Sequence, residues 1–178
     1  MNVYQASQQR LKTIFDQFDN VCVSFSCGKD SGVLLNLCID YIRANCPDRK
    51  LCVFNMDYEA QYTMTTEYVE RTIAENTDIL DVYRCCVPFK VTTCTSMHEN
   101  HWRPWEASKR DIWVSQMQEN CYTEKDFPFY KPNMWDYEFQ EKFSLWLHKR
   151  KNATRTACLV GIRTQESLNR WRAIHSER

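Results

Sequence analysis

Hydrophobic positions along the chain follow two rhythms. Residues 4–18 repeat at helical spacing, with Leu11, Ile14, Phe15 and Phe18 on one face. Val21-Cys22-Val23-Ser24-Phe25 is a short apolar run suited to a buried strand, and Ser26 to Ser31 reads as a loop. Helical spacing returns from Gly32 to Asn45 through Val33, Leu34, Leu37, Ile39 and Ile42, and Pro47 stops it. Leu51 to Met56 predicts a second buried strand ending at Asp57, Tyr62 to Asn76 a helix, and Ile79 to Val87 a third strand. The first two strands start about 30 residues apart, which fits right-handed βαβ crossovers and a parallel sheet.

The rhythm then breaks. Pro88 to Pro132 holds four of the five prolines together with Trp102, Trp105 and Trp113, and predicts an irregular insertion with one short helix near 107–118. A loop of this length in a compact domain serves as lid, pocket or partner surface. The tryptophans of 102–146 suit packing of core or lid. Met134 to Lys151 is helical again, Thr156 to Val160 predicts a fourth buried strand, Gly161 to Ser167 its exit loop, and Leu168 the start of a last helix. The 178 residues are expected to form a single α/β domain.

Composition narrows the class. Hydrophobic residues make up 43% and charged residues 26%, as in globular proteins, and no apolar run is long enough to cross a membrane. Residues 1–18 carry acids and a helical period rather than a signal peptide's apolar stretch. The expectation is a soluble, cytoplasmic protein. The ten cysteines include no CxxC pair, and several lie inside apolar runs, so a reduced state is expected, without zinc or an iron–sulfur cluster. Cys94, His98, His101 and Cys121 fall together, but their spacing matches no standard zinc finger.

Net charge is zero, yet residues 1–90 hold nine basic and twelve acidic side chains, and residues 91–178 hold fourteen and eleven. Residues 145–178 are the most basic, which predicts an anionic ligand near that end. Lys149-Arg150-Lys151 suits a helix C-terminus, where cations complement the dipole. Zero net charge gives little drive toward nucleic acid, so direct binding of DNA or RNA is not expected.

Only three glycines occur, Gly28, Gly32 and Gly161, against an average of about 7%. Each is expected to mark a place where a side chain would obstruct. Gly28 lies in Ser26-Cys27-Gly28-Lys29-Asp30-Ser31, between a strand and a helix, where free N–H groups and the positive helix end converge on anions. Lys29 adds a mobile charge, and Ser26 and Ser31 add hydroxyls; the plainer reading is a tight turn with Ser31 as N-cap. Val23 and Asp30 occupy positions where a Walker loop needs glycine and Ser or Thr, so it is not that motif.

Ser26 to Ser31 resembles the S-G-G-K-D-S pyrophosphate loop (PP-loop) of the N-type ATP pyrophosphatases. Gly161-Ile162-Arg163-Thr164-Gln165-Glu166-Ser167-Leu168-Asn169-Arg170 resembles the G-x-R-x-x-(E/Q)-S-x-x-R signature of the phosphoadenosine phosphosulfate (PAPS) reductases. Asp57-Tyr58-Glu59 stands where those proteins carry an acidic turn. Trp102 to Glu106 and Lys109 to Trp113 are similar to the branch that includes the immunoglobulin-binding regulator coactivators. The resemblance covers roughly residues 15–175.

The resemblance implies a doubly wound sheet of order 3-2-1-4-5 with ATP or PAPS across the strands' carboxyl ends. It implies that Ser26, Cys27, Gly28, Lys29, Asp30 and Ser31 hold phosphates, with Asp57 near ribose or adenine. Gly161, Arg163, Glu166, Ser167 and Arg170 would line the sulfate or outer phosphates, and Lys29 and Arg163 would carry any catalysis. Asp57 and Glu59 offer oxygen ligands for Mg²⁺, and Asp57 equally suits a cap for the helix near Tyr62.

Three departures qualify this. Cys27 replaces the first loop glycine, the reductases' C-terminal E-C-G-L-H segment has no counterpart, and a fifth strand is missing. PAPS reduction by this chain alone is therefore not expected. The alternatives are a regulator or transcriptional coactivator that binds nucleotide without turnover, acting with a regulatory protein partner, and a shortened family member whose longer relatives supply the last strand.

Overall fold

The computed structural model describes residues 1–175. The first helix, α1 (Val3–Gln17), is opened by a capping box in which Asn2 and Gln5 exchange side-chain and backbone bonds, and it buries Leu11 and Phe15. There follow β1 (Asn20–Ser24), α2 (Lys29–Asn45), β2 (Leu51–Met56), α3 (Thr63–Ala74) and β3 (Leu80–Cys85). The insertion holds a two-residue antiparallel pair, β4 (Val91–Thr92) and β5 (His101–Trp102), and 3-10 turns at Ala107–Ile112 and Glu124–Asp126. Then come α4 (Asp136–Arg150), β6 (Thr156–Val160), a 3-10 turn at Thr164–Glu166 and α5 (Leu168–His175). Among the described residues, no helix is long and apolar enough to cross a membrane.

The main sheet has the order β3-β2-β1-β6, and every neighbouring pair is parallel. The chain steps outward from β1 to β2 to β3, then returns to place β6 on the other side of β1. This is the arrangement of a doubly wound α/β sheet, and its switch point lies between β1 and β6.

Alternation along the strands sorts the side chains into two layers. Val21, Val23 and Phe25 of β1 and its exit, with Leu51 and Val53 of β2, pack with Leu11 and Phe15 of α1, Leu35, Ile39 and Ile42 of α2, and Val69 of α3. Cys22, Cys52, Phe54 and Tyr83 turn to the opposite face, against Phe139, Phe143 and Leu147 of α4 and Phe127 of the insertion. Phe54 stacks on Phe143 with ring centroids 4.0 Å apart.

Four expectations need correction. Helix α2 begins at Lys29 rather than Gly32, so Lys29, Asp30 and Ser31 form its first turn. The helix expected near 107–118 is a 3-10 turn ending at Ile112, and the β4–β5 pair was not anticipated. Strand β6 reads as buried on both faces, yet Cys158 and Val160 are exposed, because no further strand flanks it among the described residues. The basic stretch 145–178 does not gather at one end. Lys151 pairs with Asp81 near the start of β3, and Arg155 lies over Phe18 at the start of β6, so both sit at the strands' amino ends.

Candidate functional site

The carboxyl ends of β1 and β6 are level, because Ser24 pairs with Val160. Their exit segments, 25–31 and 161–167, therefore leave the sheet side by side at the switch point. They touch. A Cβ added to Gly161 would lie 2.8 Å from the Ser31 nitrogen and 2.9 Å from the Asp30 carbonyl. Gly161 is thus the place where the second segment passes against the first turn of α2.

In that turn Gly28 is the N-cap, with φ −73° and ψ 161°, and no side chain caps the helix. The first helical bond runs from the Gly32 N–H to the Gly28 carbonyl at 2.9 Å, so the N–H groups of Lys29, Asp30 and Ser31 precede the ladder. Ser31 is not the N-cap: its hydroxyl donates to the Gly28 carbonyl at 2.9 Å and lies 3.1 Å from the Ser26 hydroxyl. Lys29 is exposed and makes no ion pair among the described residues.

Cys27, where the pyrophosphate loop has glycine, takes φ +66°. Few non-glycine residues enter that region, and here two anchors hold it. The Asn55 side chain donates to the Phe25 carbonyl at 2.9 Å and to the Cys27 sulfur at 3.3 Å. Burial pushes the Cys27 thiol up to about 12, against the opposing effects of the Asn55 hydrogen bond and the Arg84 charge. Burial therefore favours its protonated form at neutral pH.

Arg163 crosses between the segments, its Nε 3.1 Å from Asp30 Oδ2. Glu166 forms ion pairs with both arginines of the second segment, Arg163 at 3.5 Å and Arg170. Ser167 caps α5, its hydroxyl accepting the Arg170 N–H at 3.2 Å. The sequence motifs thus converge in space; Arg163 and Arg170 pair with Asp30 and Glu166, and Lys29 is left without an ion pair among the described residues.

The acidic turn after β2 lies beside the loop, near enough for the Asp57 charge to act on Cys27, but its carboxylates are taken up by other partners. Asp57 is 6% exposed; its Oδ1 accepts the Glu59 N–H at 2.9 Å, and its Oδ2 accepts from Arg84 Nε at 2.9 Å and Nη2 at 2.8 Å. Glu59, also buried, accepts the N–H of Trp105 at 2.8 Å and of Val114 at 3.0 Å, and its carbonyl accepts the Ser115 hydroxyl at 2.8 Å. Trp105 donates its indole N–H to the Asp57 carbonyl at 2.7 Å. Both carboxylates are thus engaged within the protein, and Asp57 does not cap α3, whose N-cap is Tyr62. Both acids fasten the insertion to the end of β2.

The insertion also borders an open, shallow pocket of about 550 Å³ beside Ala60, lined by His101, Trp102, Arg103 and Lys109 among others. Sequence reasoning missed Asn55, Arg84 and the anchoring role of Trp105. The available signal was an amide inside an otherwise apolar strand and a guanidinium inside β3, since such groups stay buried only with partners.

No family model matches the chain. It is similar to the uncharacterized protein YbdN of Escherichia coli (strain K12), with 34% identity over 178 residues, which cover 99% of this chain and 42% of the relative. The chain therefore spans about two fifths of the curated relative that it matches.

Proposed function

We propose that this chain binds an adenine nucleotide, ATP or PAPS, in the manner of the PAPS reductase-like branch of the ATP pyrophosphatases. The observation that carries the reading is the contact of Gly161 with Asp30 and Ser31, which brings two sequence-distant motifs together at the switch point. Crevices at such switch points are where doubly wound sheets take their ligands. The open N–H groups of α2 and the Lys29 ammonium supply the donors that a phosphate chain needs. Anionic oxygens would compete with Asp30 and Glu166 for Arg163, whose planar fork suits phosphate or sulfate.

Turnover, in this reading, is attack at phosphorus or sulfur, aided by positioning and by charge neutralisation from Lys29, Arg163 and the loop N–H groups. Magnesium would arrive with the nucleotide, because Asp57 and Glu59 are engaged elsewhere. A regulator that binds nucleotide without turnover is the second reading. The likeness of Trp102 to Glu106 and of Lys109 to Trp113 to the coactivator branch favours it.

Calorimetric titration with ATP and with PAPS, each with Mg²⁺, tests the proposal. Wild type is expected to bind one of them, and Lys29→Ala to bind about tenfold or more weakly, roughly 1.4 kcal/mol. A well-folded chain that binds neither nucleotide overturns it. Release of AMP and pyrophosphate separates turnover from binding alone.

A further inference from the structure

Late in the insertion, the chain runs beside the end of β3. The Tyr122 N–H donates to the Arg84 carbonyl at 2.7 Å, and the Cys86 N–H donates to the Tyr122 carbonyl at 2.8 Å, so Tyr122 pairs with Cys85 in parallel. Paired residues share a face of the sheet, and the residue next to each takes the other face. Cys85 and Tyr122 accordingly pack with Phe127 and Phe143 on the α4 side. Their neighbours Cys86 and Cys121 turn together to the opposite side.

There the two thiols meet. A side-chain hydrogen bond joins them across 35 residues of sequence. Both are free cysteines; Cys86 is fully buried and Cys121 half-buried. Cys121 belongs to no helix or strand, and the residues before it, 116–120, border a pocket of about 620 Å³ against Glu70 and Ile73 of α3 and Arg84 of β3. Its backbone thus has room to adjust to the narrow geometry of a disulfide.

We propose that Cys86 and Cys121 are a redox site, which closes into a disulfide by exchange with a low-molecular-weight disulfide and so fastens the insertion to the end of β3. Cys121, the accessible thiol, reacts first: its sulfur gives up a proton to solvent, bonds one sulfur of the small disulfide and expels the other as a thiolate. Cys86 then loses its proton, attacks the Cys121 sulfur, forms the protein disulfide and expels the second thiolate. The two cysteines lose two protons and two electrons, and the small disulfide takes both electrons and leaves as two thiols. Burial raises both cysteine thiols, and the Arg84 charge beside them pulls the other way, so the exchange is slow at neutral pH and quickens as pH rises. Once the mixed disulfide has formed, closure is intramolecular, which favours the protein disulfide. The inference does not depend on nucleotide binding.

Equilibration of the folded chain with mixtures of oxidised and reduced glutathione at about pH 8 tests it, followed by alkylation of remaining thiols and mapping of unreduced tryptic peptides. The peptide that holds Cys85 and Cys86 should be joined to the peptide that holds Cys121. Cys85→Ala should keep that link, and Cys86→Ala and Cys121→Ser should abolish it. A folded chain in which glutathione stays on Cys121 while Cys86 remains free overturns the proposal, and so does a link that runs through Cys85. The oxidised chain should melt about 5–10 °C above the reduced one, and dithiothreitol should reverse the gain. Cys121→Ser should show no gain. An oxidised chain that melts below the reduced one also overturns the proposal, because the fold would then oppose the bond.

Discussion

Glu59 Oε2 accepts the main-chain N–H of Trp105 at 2.8 Å, across 46 residues of sequence. The bond joins the turn after β2 to the middle of the insertion, and Val114 bonds the other carboxylate oxygen. One buried carboxylate therefore organises a segment that has almost no secondary structure of its own.

Glu59→Gln keeps the shape but turns one acceptor into a donor, so the N–H of Trp105 or of Val114 loses its partner. The expected cost is about 1–3 kcal/mol. Hydrogen–deuterium exchange should rise across 102–115 while the β1 amides stay protected, and Trp105 fluorescence should shift to the red. Uniform protection in the variant would show that the carboxylate is dispensable.

Gly161→Ala places a Cβ within 3 Å of the α2 backbone, where neither side is a flexible side-chain end. The expected destabilisation is about 1–3 kcal/mol, read from the midpoint of urea unfolding. Gly28→Ala is the matched control. Its Cβ would meet only the Ser26 hydroxyl at 3.6 Å, and its φ is already negative, so stability should stay within about 0.5 kcal/mol. Equal losses in the two variants would refute the close-approach argument.

Cys27→Gly suits the left-handed backbone that the thiol now occupies. Relief of about 1 kcal/mol is set against a similar gain in unfolded-chain entropy and the lost bond from Asn55, so the melting temperature should barely move. Cys27→Val should lower stability by about 2 kcal/mol, because a β-branched side chain tolerates positive φ worst. Comparing the two by calorimetry separates backbone conformation from packing.

Stability should fall steadily above pH 9. Burial raises the thiols of Cys27, Cys38 and Cys52 from 9.0 to about 12. Over that window the unfolded chain has lost protons that the folded chain still holds, so the unfolded state binds fewer and stability declines as pH rises. Lys151 acts in the same direction: burial opposes its charge, the Asp81 hydrogen bond outweighs burial, and the raised ammonium loses its proton in alkali. Thermal unfolding at a series of pH values checks this, and a flat profile from about pH 8.5 to 10.5 would contradict it.

The parts legible in the sequence were those set by local pattern. The apolar run Val21 to Phe25 with Gly-Lys behind it gave the strand and its turn, and the same logic placed β2, β3 and α4 within a few residues. The start of α2 was misplaced because its N-cap is Gly28, which has no side chain to announce a cap. The Asp57–Arg84 pair depends on the register of β2 against β3 and leaves no trace in spacing, so Asp57 read equally as ligand or cap. Strand β6 was read as buried because its residues are apolar, and composition does not report how many strands flank a strand.

The missing Cβ of Gly161 also indexes the edge strand. A slip of β6 by one residue against β1 would bring Val160 or Ile162 to a position with no room for any side chain. Ladder hydrogen bonds alone tolerate such slips, since every register offers the same N–H and C=O groups. Here the alignment is read a second time, by a steric stop against the helix. The edge strand and the loop at 26–31 are therefore held in one fixed phase.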